Sequence, residues 1–149
     1  MSEIREFSGD HRFLSNFQPV DVEYEGITYP SVEHAYQAAK TLDPEEREII
    51  RSCGSASIAK KLGRHVRVRE DWEDIKISVM TELVYGKFLA REDLARKLLD
   101  TNDAMLIEGN WWGDRFWGVC NGVGYNHLGQ ILMAVRKSLR EERNEHGTP

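Results

Sequence analysis

The sequence predicts a helix-rich α+β fold, built as a single domain with a small β-sheet. Its 149 residues fit one ordinary domain and leave little room for a second. With 40% hydrophobic and 30% charged residues, the chain can bury a core, and nothing in the composition indicates disorder. Apolar residues recur mainly at helical spacing, whereas the alternation typical of strands is confined to short segments. We therefore expect one domain over residues 1–142 and a polar tail at 143–149 that frays.

Strand signals begin near the start of the chain. Apolar and acidic residues alternate over residues 20–24, and the Glu25-Gly26 pair turns the chain into a second extended segment at 27–29. This pattern predicts a small hairpin. Further extended segments are expected at 66–69 and 105–107.

Capping residues and apolar stripes mark the helices. Ser31 can cap a helix whose apolar residues follow the i, i+3, i+4, i+7 pattern, and Asp43-Pro44 is a strong start signal for the next helix. A short third helix is expected to begin near Ser55 and to end at Gly63. A longer helix is expected over residues 71–90, and it is either continued or followed by another helix that carries Leu94 and Leu98. Asn126 is expected to cap the final helix.

Residues 109–124 carry five glycines and are predicted to form a loop, because the segment is too broken for regular structure. Trp111, Trp112 and Trp117 lie within this loop, together with Asp114. Each indole could simply pin the loop to the core. The cluster as a whole, beside a carboxylate, favours a site that stacks a planar ring and holds a polar group near it.

Glu33 falls in the first turn of the helix capped by Ser31, where the helix dipole favours an ionised carboxylate. Helical spacing puts Gln37 and Lys40 on the same side, so that this face carries an acid, an amide and an amine. A solvated helix face would have the same pattern, and the sequence leaves both interpretations open.

The net charge of −5 argues against broad, nonspecific binding to DNA. Residues 51–69 depart from this balance, since they contain six basic residues and no acid. The run is either a solvated helix face or a patch that meets phosphate on a small ligand or a nucleotide end. We favour the phosphate patch.

Two separated carboxylates, an aromatic platform and a basic patch are the parts needed to cleave a bond between ribose and a base. Breaking a ribosyl C–N bond builds positive charge on the sugar, so that a fixed carboxylate stabilises the transition state more than the ground state. A stacked pocket helps the base to leave, and Arg or Lys can orient the phosphates.

Other classes are disfavoured by the sequence. No apolar run approaches the length of a membrane span and no secretory signal is evident, so we expect a cytoplasmic protein with no membrane partner. Cys53 and Cys120 are not in metal-type spacing, and the five histidines form no HExxH pattern. We expect no disulfide, no metal and no cofactor. The glycines at 122 and 124 lack the third glycine and the preceding strand of a dinucleotide fingerprint.

Several motifs, in order along most of the chain, resemble one known family. The motifs are Phe13-Leu14-Ser15-Asn16-Phe17, the run Tyr29 to Lys40 with the pattern P-S-x-E-H-x-Y-Q-A-x-K, the segment Ala59 to Arg64, Trp112-Gly113-Asp114, and Gly124-Tyr125-Asn126-His127-Leu128-Gly129. The sequence is similar to the NADAR family, also called YbiA-like N-glycosidases.

The resemblance implies hydrolysis of N-glycosidic bonds in ribose-phosphate or ADP-ribose compounds. Expected substrates are early riboflavin-pathway intermediates or, as in some members, ADP-ribose on guanine in DNA. Glu33, Trp112 and Asp114 fall on the family's catalytic positions: Glu33 would support the cationic sugar and position water, Trp112 would stack or shape the pocket, and Asp114 would fix a sugar hydroxyl or share proton transfer. The expected substrate-binding residues are Asn16, Phe17, His34, Gln37, Lys40, Arg64, Gly113, Arg115 and Asn126.

One departure concerns Arg115, which stands where the family pattern often has glycine, in a loop that is longer than usual. It is either an added phosphate contact or a solvent-facing residue. A rival to the enzyme is a non-catalytic module that recognises ADP-ribose or a related nucleotide through the same residues.

Overall fold

A computed structural model describes residues 2–146, the last two of them by backbone alone. The chain divides into two compact units, one formed by Met1–Ser15 with Phe88–Pro149 and the other by Asn16–Lys87. The expectation of a single domain over 1–142 stays a prediction. In chain order the elements are β1 (Glu3–Ile4), a 3-10 helix (Gly9–Leu14), β2 (Val22–Tyr24), β3 (Ile27–Tyr29), α1 (Val32–Ala39), α2 (Pro44–Ser52), α3 (Ala56–Leu62), α4 (Trp72–Ala90), α5 (Glu92–Leu99), β4 (Met105–Leu106), β5 (Gly109–Asn110), β6 (Val119–Cys120) and α6 (His127–His146).

The helix-rich α+β class is confirmed, but the described strands form three separate two-stranded ladders instead of one sheet. The predicted hairpin is the antiparallel pair β2–β3, with Val22 opposite Tyr29. Its turn places both Glu25 (φ 49°) and Gly26 (φ 82°) in the left-handed region, which matches the type I′ geometry of two-residue hairpins.

The unit Asn16–Lys87 is organised around α1, which packs against α2, α3 and the hairpin. The caps predicted at the starts of α1 and α2 are confirmed, and Ser55, predicted as the approximate start of the third helix, caps α3. Ser31 accepts from the backbone N–H of His34, Asp43 from that of Glu45, and Ser55 from that of Ile58. Each cap satisfies an N–H that the first helical turn leaves without an intrahelical partner.

Helix α4 begins at Trp72, whose indole lies 5.1 Å from the Tyr36 ring between centroids and is 5% exposed. This contact joins α4 to α1 within the unit Asn16–Lys87. The extended segment expected at 66–69 forms only an isolated antiparallel bridge, between Val68 and Thr41.

In the other unit, α6 packs against α5 and β4, and the 3-10 helix packs on α5. The strand expected at 105–107 is β4, and it pairs in parallel with β1, which the sequence pattern did not predict. The interpretation of residues 109–124 as entirely irregular was wrong. Gly109 pairs in parallel with Val119 because the backbone alone supplies the bonds of the β5–β6 ladder.

The end of the chain also differs from the expectation. Helix α6 continues through Arg143 to His146, within the tail that we expected to fray, and residues 147–149 lie outside the described range. No helix in the described part of the chain is long and apolar enough to cross a membrane.

A lysine lies in the core among apolar side chains. Lys87 in α4 is 1% exposed, and burial lowers its pKa to about 7. An unfolded lysine titrates near 10.4. Between these values the unfolded chain binds more protons than the folded one, so Lys87 makes the free energy of unfolding rise with pH up to about 10.

We expect Lys87→Met to remove this slope. The variant's gain over the parent should be largest at or below pH of about 7, where the parent buries a charged amine, and should shrink toward pH of about 10. Urea unfolding across this range measures the difference. Lys137→Met, at an exposed position on α6, is the control. A difference for Lys87→Met that does not vary with pH would contradict the assignment.

Candidate active site

Helix α1 buries its polar side chains together with its apolar ones. Glu33 is 7% exposed, His34 3% and Gln37 5%. The interpretation of this face as solvated is therefore wrong for Glu33 and Gln37, whereas Lys40 is only partly buried. A buried carboxylate needs hydrogen bonds or nearby cations to remain charged.

Hydrogen bonds on both sides fix Glu33. Its Oε2 accepts from Gln37 Nε2 at 2.6 Å, and its backbone N–H donates to the Asn16 carbonyl at 3.1 Å. Asn16 is fixed in turn, since its Nδ2 lies 3.4 Å from the Met80 sulfur. The structure thus brings Glu33, Gln37 and Asn16 together.

Basic side chains lie near this carboxylate. Burial is the main cause that lowers the pKa of Lys40, and Glu33 opposes it. Three nearby cations lower this pKa further: Arg64, Lys76 and Lys60. The Lys40 amine also lies 5.8 Å from the centroid of the Tyr36 ring. These opposing influences mean that Lys40 lies within electrostatic reach of both a carboxylate and other cations. We call Glu33, Gln37, Lys40 and Arg64 the Glu33 cluster.

The basic run 51–69 divides into paired and outward-facing residues. Arg51 bonds Glu48 at 2.6 Å and Arg69 bonds Asp71 at 2.6 Å, so that acids just outside the run neutralise both of its ends. Lys60 and Arg64 influence Lys40. The patch that can meet an anion is consequently smaller than the sequence suggested.

His34 is oriented by its own helix cap. Its Nδ1 lies 2.7 Å from Ser31 Oγ, and burial lowers its pKa, an effect that the Cys53 backbone partly opposes. A lowered pKa keeps the ring neutral at neutral pH. Phe17, the remaining predicted contact in this unit, is half-buried.

In the other unit, residues 109–126 form what we call the Trp112 loop. Asp114 Oδ1 accepts from the backbone N–H groups of Phe116 at 3.0 Å and Trp117 at 2.9 Å. The Asn110 side chain makes two hydrogen bonds to the backbone of Asp114: its Oδ1 accepts from the Asp114 N–H and its Nδ2 donates to the Asp114 carbonyl. Of the two carboxylate oxygens of Asp114, Oδ1 is therefore the one that the loop backbone holds.

The tryptophans of this loop fall into two environments. Trp111 is 86% exposed and Trp112 48%, with their rings in an edge-on contact at 5.6 Å between centroids. Trp117 instead packs edge-on against Phe116 at 4.8 Å, beside His127. Trp117 serves packing, whereas Trp111 and Trp112 present ring surface.

Asn126 does not have the role expected of a helix cap. Its backbone is left-handed (φ 54°), its Oδ1 accepts from the Glu108 N–H, and its Nδ2 donates to the Leu106 carbonyl, both at 2.9 Å. A Cβ on Gly129 would overlap this amide. The side chain joins the start of α6 to the chain around β4, so its polar atoms are already engaged within the protein.

The twelve predicted residues divide between the units. Gly113 (φ 89°) and Arg115 are exposed, and the Arg115 carbonyl accepts from the Tyr125 N–H. Asn16, Phe17, Glu33, His34, Gln37, Lys40 and Arg64 belong to Asn16–Lys87, and Trp112, Gly113, Asp114, Arg115 and Asn126 belong to the other unit.

Sequence reasoning missed Asn110 and Lys76. Lys76 follows Trp72 by one helical turn, and the packing of Trp72 on Tyr36 places it near Lys40, a relation that only tertiary structure reveals. Asn110 carries no motif signal. Among the described residues, no group of three or more His, Cys, Asp or Glu side chains is placed to hold a metal ion.

Comparisons with known proteins extend over the whole fold. The NADAR domain model matches residues 4–140. N-glycosidase YbiA of Escherichia coli is 37% identical over 139 residues, which cover 91% of this chain and 86% of that protein. A riboflavin biosynthesis protein of Vibrio vulnificus is 42% identical over 135 residues, which cover 89% of this chain but only 36% of that protein.

The solution structure of E. coli YbiA has the same fold, with a TM-score of 0.86 at 35% identity, and the match covers 99% of this chain and 91% of that one. The fold and these relatives define a class of hydrolases that act on N-glycosyl bonds. The chain belongs to the NADAR domain family, and the resemblance seen in the motifs is thereby confirmed.

The two hydrogen bonds by which the Asn126 side chain joins the start of α6 to the chain around β4, here called the Asn126 clamp, can be tested with a matched control. Asn126→Ala removes two hydrogen bonds and strains a left-handed residue, whereas Asn121→Ala strains an exposed left-handed residue (φ 53°) that makes no side-chain hydrogen bond within the described range. We expect Asn126→Ala to lower the free energy of unfolding by about 2 kcal/mol more than Asn121→Ala does, measured by urea titration. Equal losses would show that the clamp contributes nothing.

Proposed function

We propose that this NADAR-family hydrolase cleaves the N-glycosidic bond of phosphoribosyl or ADP-ribosyl compounds, with Glu33 as the group that supports the sugar cation. The observation that carries the proposal is the carboxylate of Glu33, 7% exposed and bonded to Gln37 Nε2 at 2.6 Å. A fixed anion in a poorly hydrated place interacts strongly with charge that develops during a reaction.

The reaction adds water across the C–N bond: the sugar carbon gains hydroxide and the departing nitrogen gains a proton. As the C–N bond lengthens, positive charge develops on the ribose, and Glu33 stabilises it without having to reorient. The same carboxylate can orient the attacking water. Its fixation by Gln37 means that little reorganisation is needed during the reaction.

Lys40, Lys60 and Arg64 fit the phosphate of such a substrate. Lys40 feels Glu33 as well as the two other cations, so an anion bound there would lie close to the carboxylate that serves the sugar. A phosphate would relieve the repulsion among the cations. Arg64 is exposed, which suits a residue that meets a phosphate entering from solvent.

Trp112 and Asp114 keep their predicted roles as part of this proposal. The Asp114 Oδ2 atom makes no hydrogen bond within the described residues, while Oδ1 is engaged by two backbone N–H groups. One oxygen therefore holds the loop and the other remains for a sugar hydroxyl. The half-exposed Trp112 offers an indole face for a planar base.

The names of the relatives support riboflavin-pathway intermediates as the first substrates to test, since the Vibrio vulnificus relative is a riboflavin biosynthesis protein. ADP-ribosylated guanine in DNA is the second substrate. Both present a planar base, a ribose and phosphate. A panel of N-ribosides with identification of the products distinguishes them.

Glu33→Gln keeps the shape of the side chain and removes its charge. We expect kcat to fall about a hundredfold or more, because one electrostatic contact to the transition state is lost. Glu45→Gln, at the exposed first turn of α2, makes the same chemical change and should leave kcat unchanged. Release of free base under saturating substrate is the measurement, and an unaltered rate in Glu33→Gln would remove Glu33 from the mechanism.

The same assay separates an enzyme from a binding module. Stoichiometric binding of ADP-ribosyl or phosphoribosyl compounds, with no release of base from any member of the panel, would favour the module.

Arg64→Gln tests the phosphate contact. We expect KM for a phosphorylated riboside to rise about tenfold or more, with kcat much less affected, because a charged hydrogen bond that anchors the ground state is lost. For the same riboside without phosphate, KM should not change. Lys61→Gln, which alters the exposed lysine three positions earlier, is the control. Equal effects on both substrates would contradict a phosphate role.

A further inference from the structure

Gly63 closes helix α3 in a conformation that does not require glycine. Its φ of −60° and ψ of −19° are right-handed helical values, open to any L-residue, and its N–H donates to the Ala59 carbonyl at 2.9 Å. A glycine at a helical position destabilises by about 1 kcal/mol relative to alanine. The reason for glycine must therefore lie outside its own backbone.

The neighbouring side chain supplies that reason. A Cβ at position 63 would overlap Gln37 Oε1, lie 2.6 Å from Gln37 Cδ and 3.2 Å from Gln37 Cβ. Gln37 thus lies along the face of Gly63 from its Cβ to its terminal amide. A clash along this whole length cannot be relieved by turning the end of the side chain.

Gln37 has little freedom to move elsewhere. It is 5% exposed, its Nε2 donates to Glu33 Oε2, and its Oε1 is buried without a hydrogen-bond partner among the described residues. With so little of the side chain exposed, close packing leaves it few other positions. Displacing it from Gly63 would pull Nε2 away from the carboxylate.

We propose that Gly63 is a positioning residue for Glu33, acting through Gln37. In this proposal Gln37 positions the Glu33 carboxylate and does not contact the substrate, which differs from the role expected from the sequence. The end of α3 thereby aligns two parts of the Glu33 cluster, because Gly63 sets the carboxylate and the next residue, Arg64, is a cation that acts on Lys40. The inference rests on the proposed role of Glu33.

A double-mutant cycle tests this chain of contacts. Gly63→Ala should lower kcat about tenfold to a hundredfold with little change in KM, since small misplacement of a catalytic group has effects of this size. Gln37→Ala should lower kcat similarly. In the double variant the new methyl group meets no glutamine, so kcat should be no lower than in Gln37→Ala alone.

The control is Gly54→Ala in the same unit, where a Cβ would meet only Ile58 Cδ1, at 3.8 Å. It should keep native kcat. Thermal unfolding of each variant shows that the activity losses occur in folded protein, and the double variant restores space if Gly63→Ala alone does not fold. Losses that multiply in the double variant, or native kcat in folded Gly63→Ala, would overturn the proposal.

A readout independent of catalysis separates this inference from the proposed function. The Gln37 side-chain amide resonance in a ¹⁵N-correlated NMR spectrum should shift in both Gly63→Ala and Glu33→Gln, and stay in place in Gly54→Ala. If Glu33→Gln is fully active yet the resonance shifts in both variants, the contacts from Gly63 through Gln37 to Glu33 are supported and the proposed catalytic role of Glu33 is wrong. If Glu33→Gln is inactive and Gly63→Ala changes neither resonance nor kcat, the inference fails alone.

Discussion

The placement of one carboxylate inside helix α1 is the constraint on which the rest of its unit depends. An ion removed from water is tolerated only where hydrogen bonds and opposite charges replace its hydration, and Glu33 is 7% exposed. The Gln37 amide supplies a hydrogen bond, and Lys40 supplies nearby positive charge. The buried amide in turn requires a neighbour without a side chain, which is Gly63. Each polar group buried here thus restricts which residue can pack against it.

Local elements could be read from the sequence because their causes lie within a few residues. The caps at Ser31, Asp43 and Ser55 bond N–H groups two or three positions away, and the hairpin turn is set by two adjacent residues. The ladders β1–β4 and β5–β6 were missed because backbone groups pair across long or irregular stretches, with no side-chain pattern to mark them. Asn126 was misread for a related reason: its amide bonds distant backbone at Leu106 and Glu108 and not its own helix.

The candidate site could be predicted only in part, because the spacing of its residues can be read from the sequence and their burial cannot. Helical geometry alone predicts that Glu33, Gln37 and Lys40 share a face, but it cannot say whether protein or water covers that face. The charge run was overestimated because counting stopped at Arg51 and Arg69. The acids that pair with these two residues, Glu48 and Asp71, lie just beyond the ends of the run. A charge pattern predicts a patch only after such neighbouring partners are removed from it.

Two glycines placed against amide side chains show how this fold fixes polar groups. Gly63 lies against Gln37 in one unit, and Gly129 lies against Asn126 in the other. Neither glycine has a positive φ, so both are needed for closeness and not for backbone freedom. Each amide reaches across to a group that its own backbone cannot serve, a carboxylate in the first case and two peptide groups in the second. An amide packed this closely against a glycine has little room for other rotamers. Glycine beside a closely packed amide therefore restricts side-chain movement here, although glycine is usually taken as a source of flexibility.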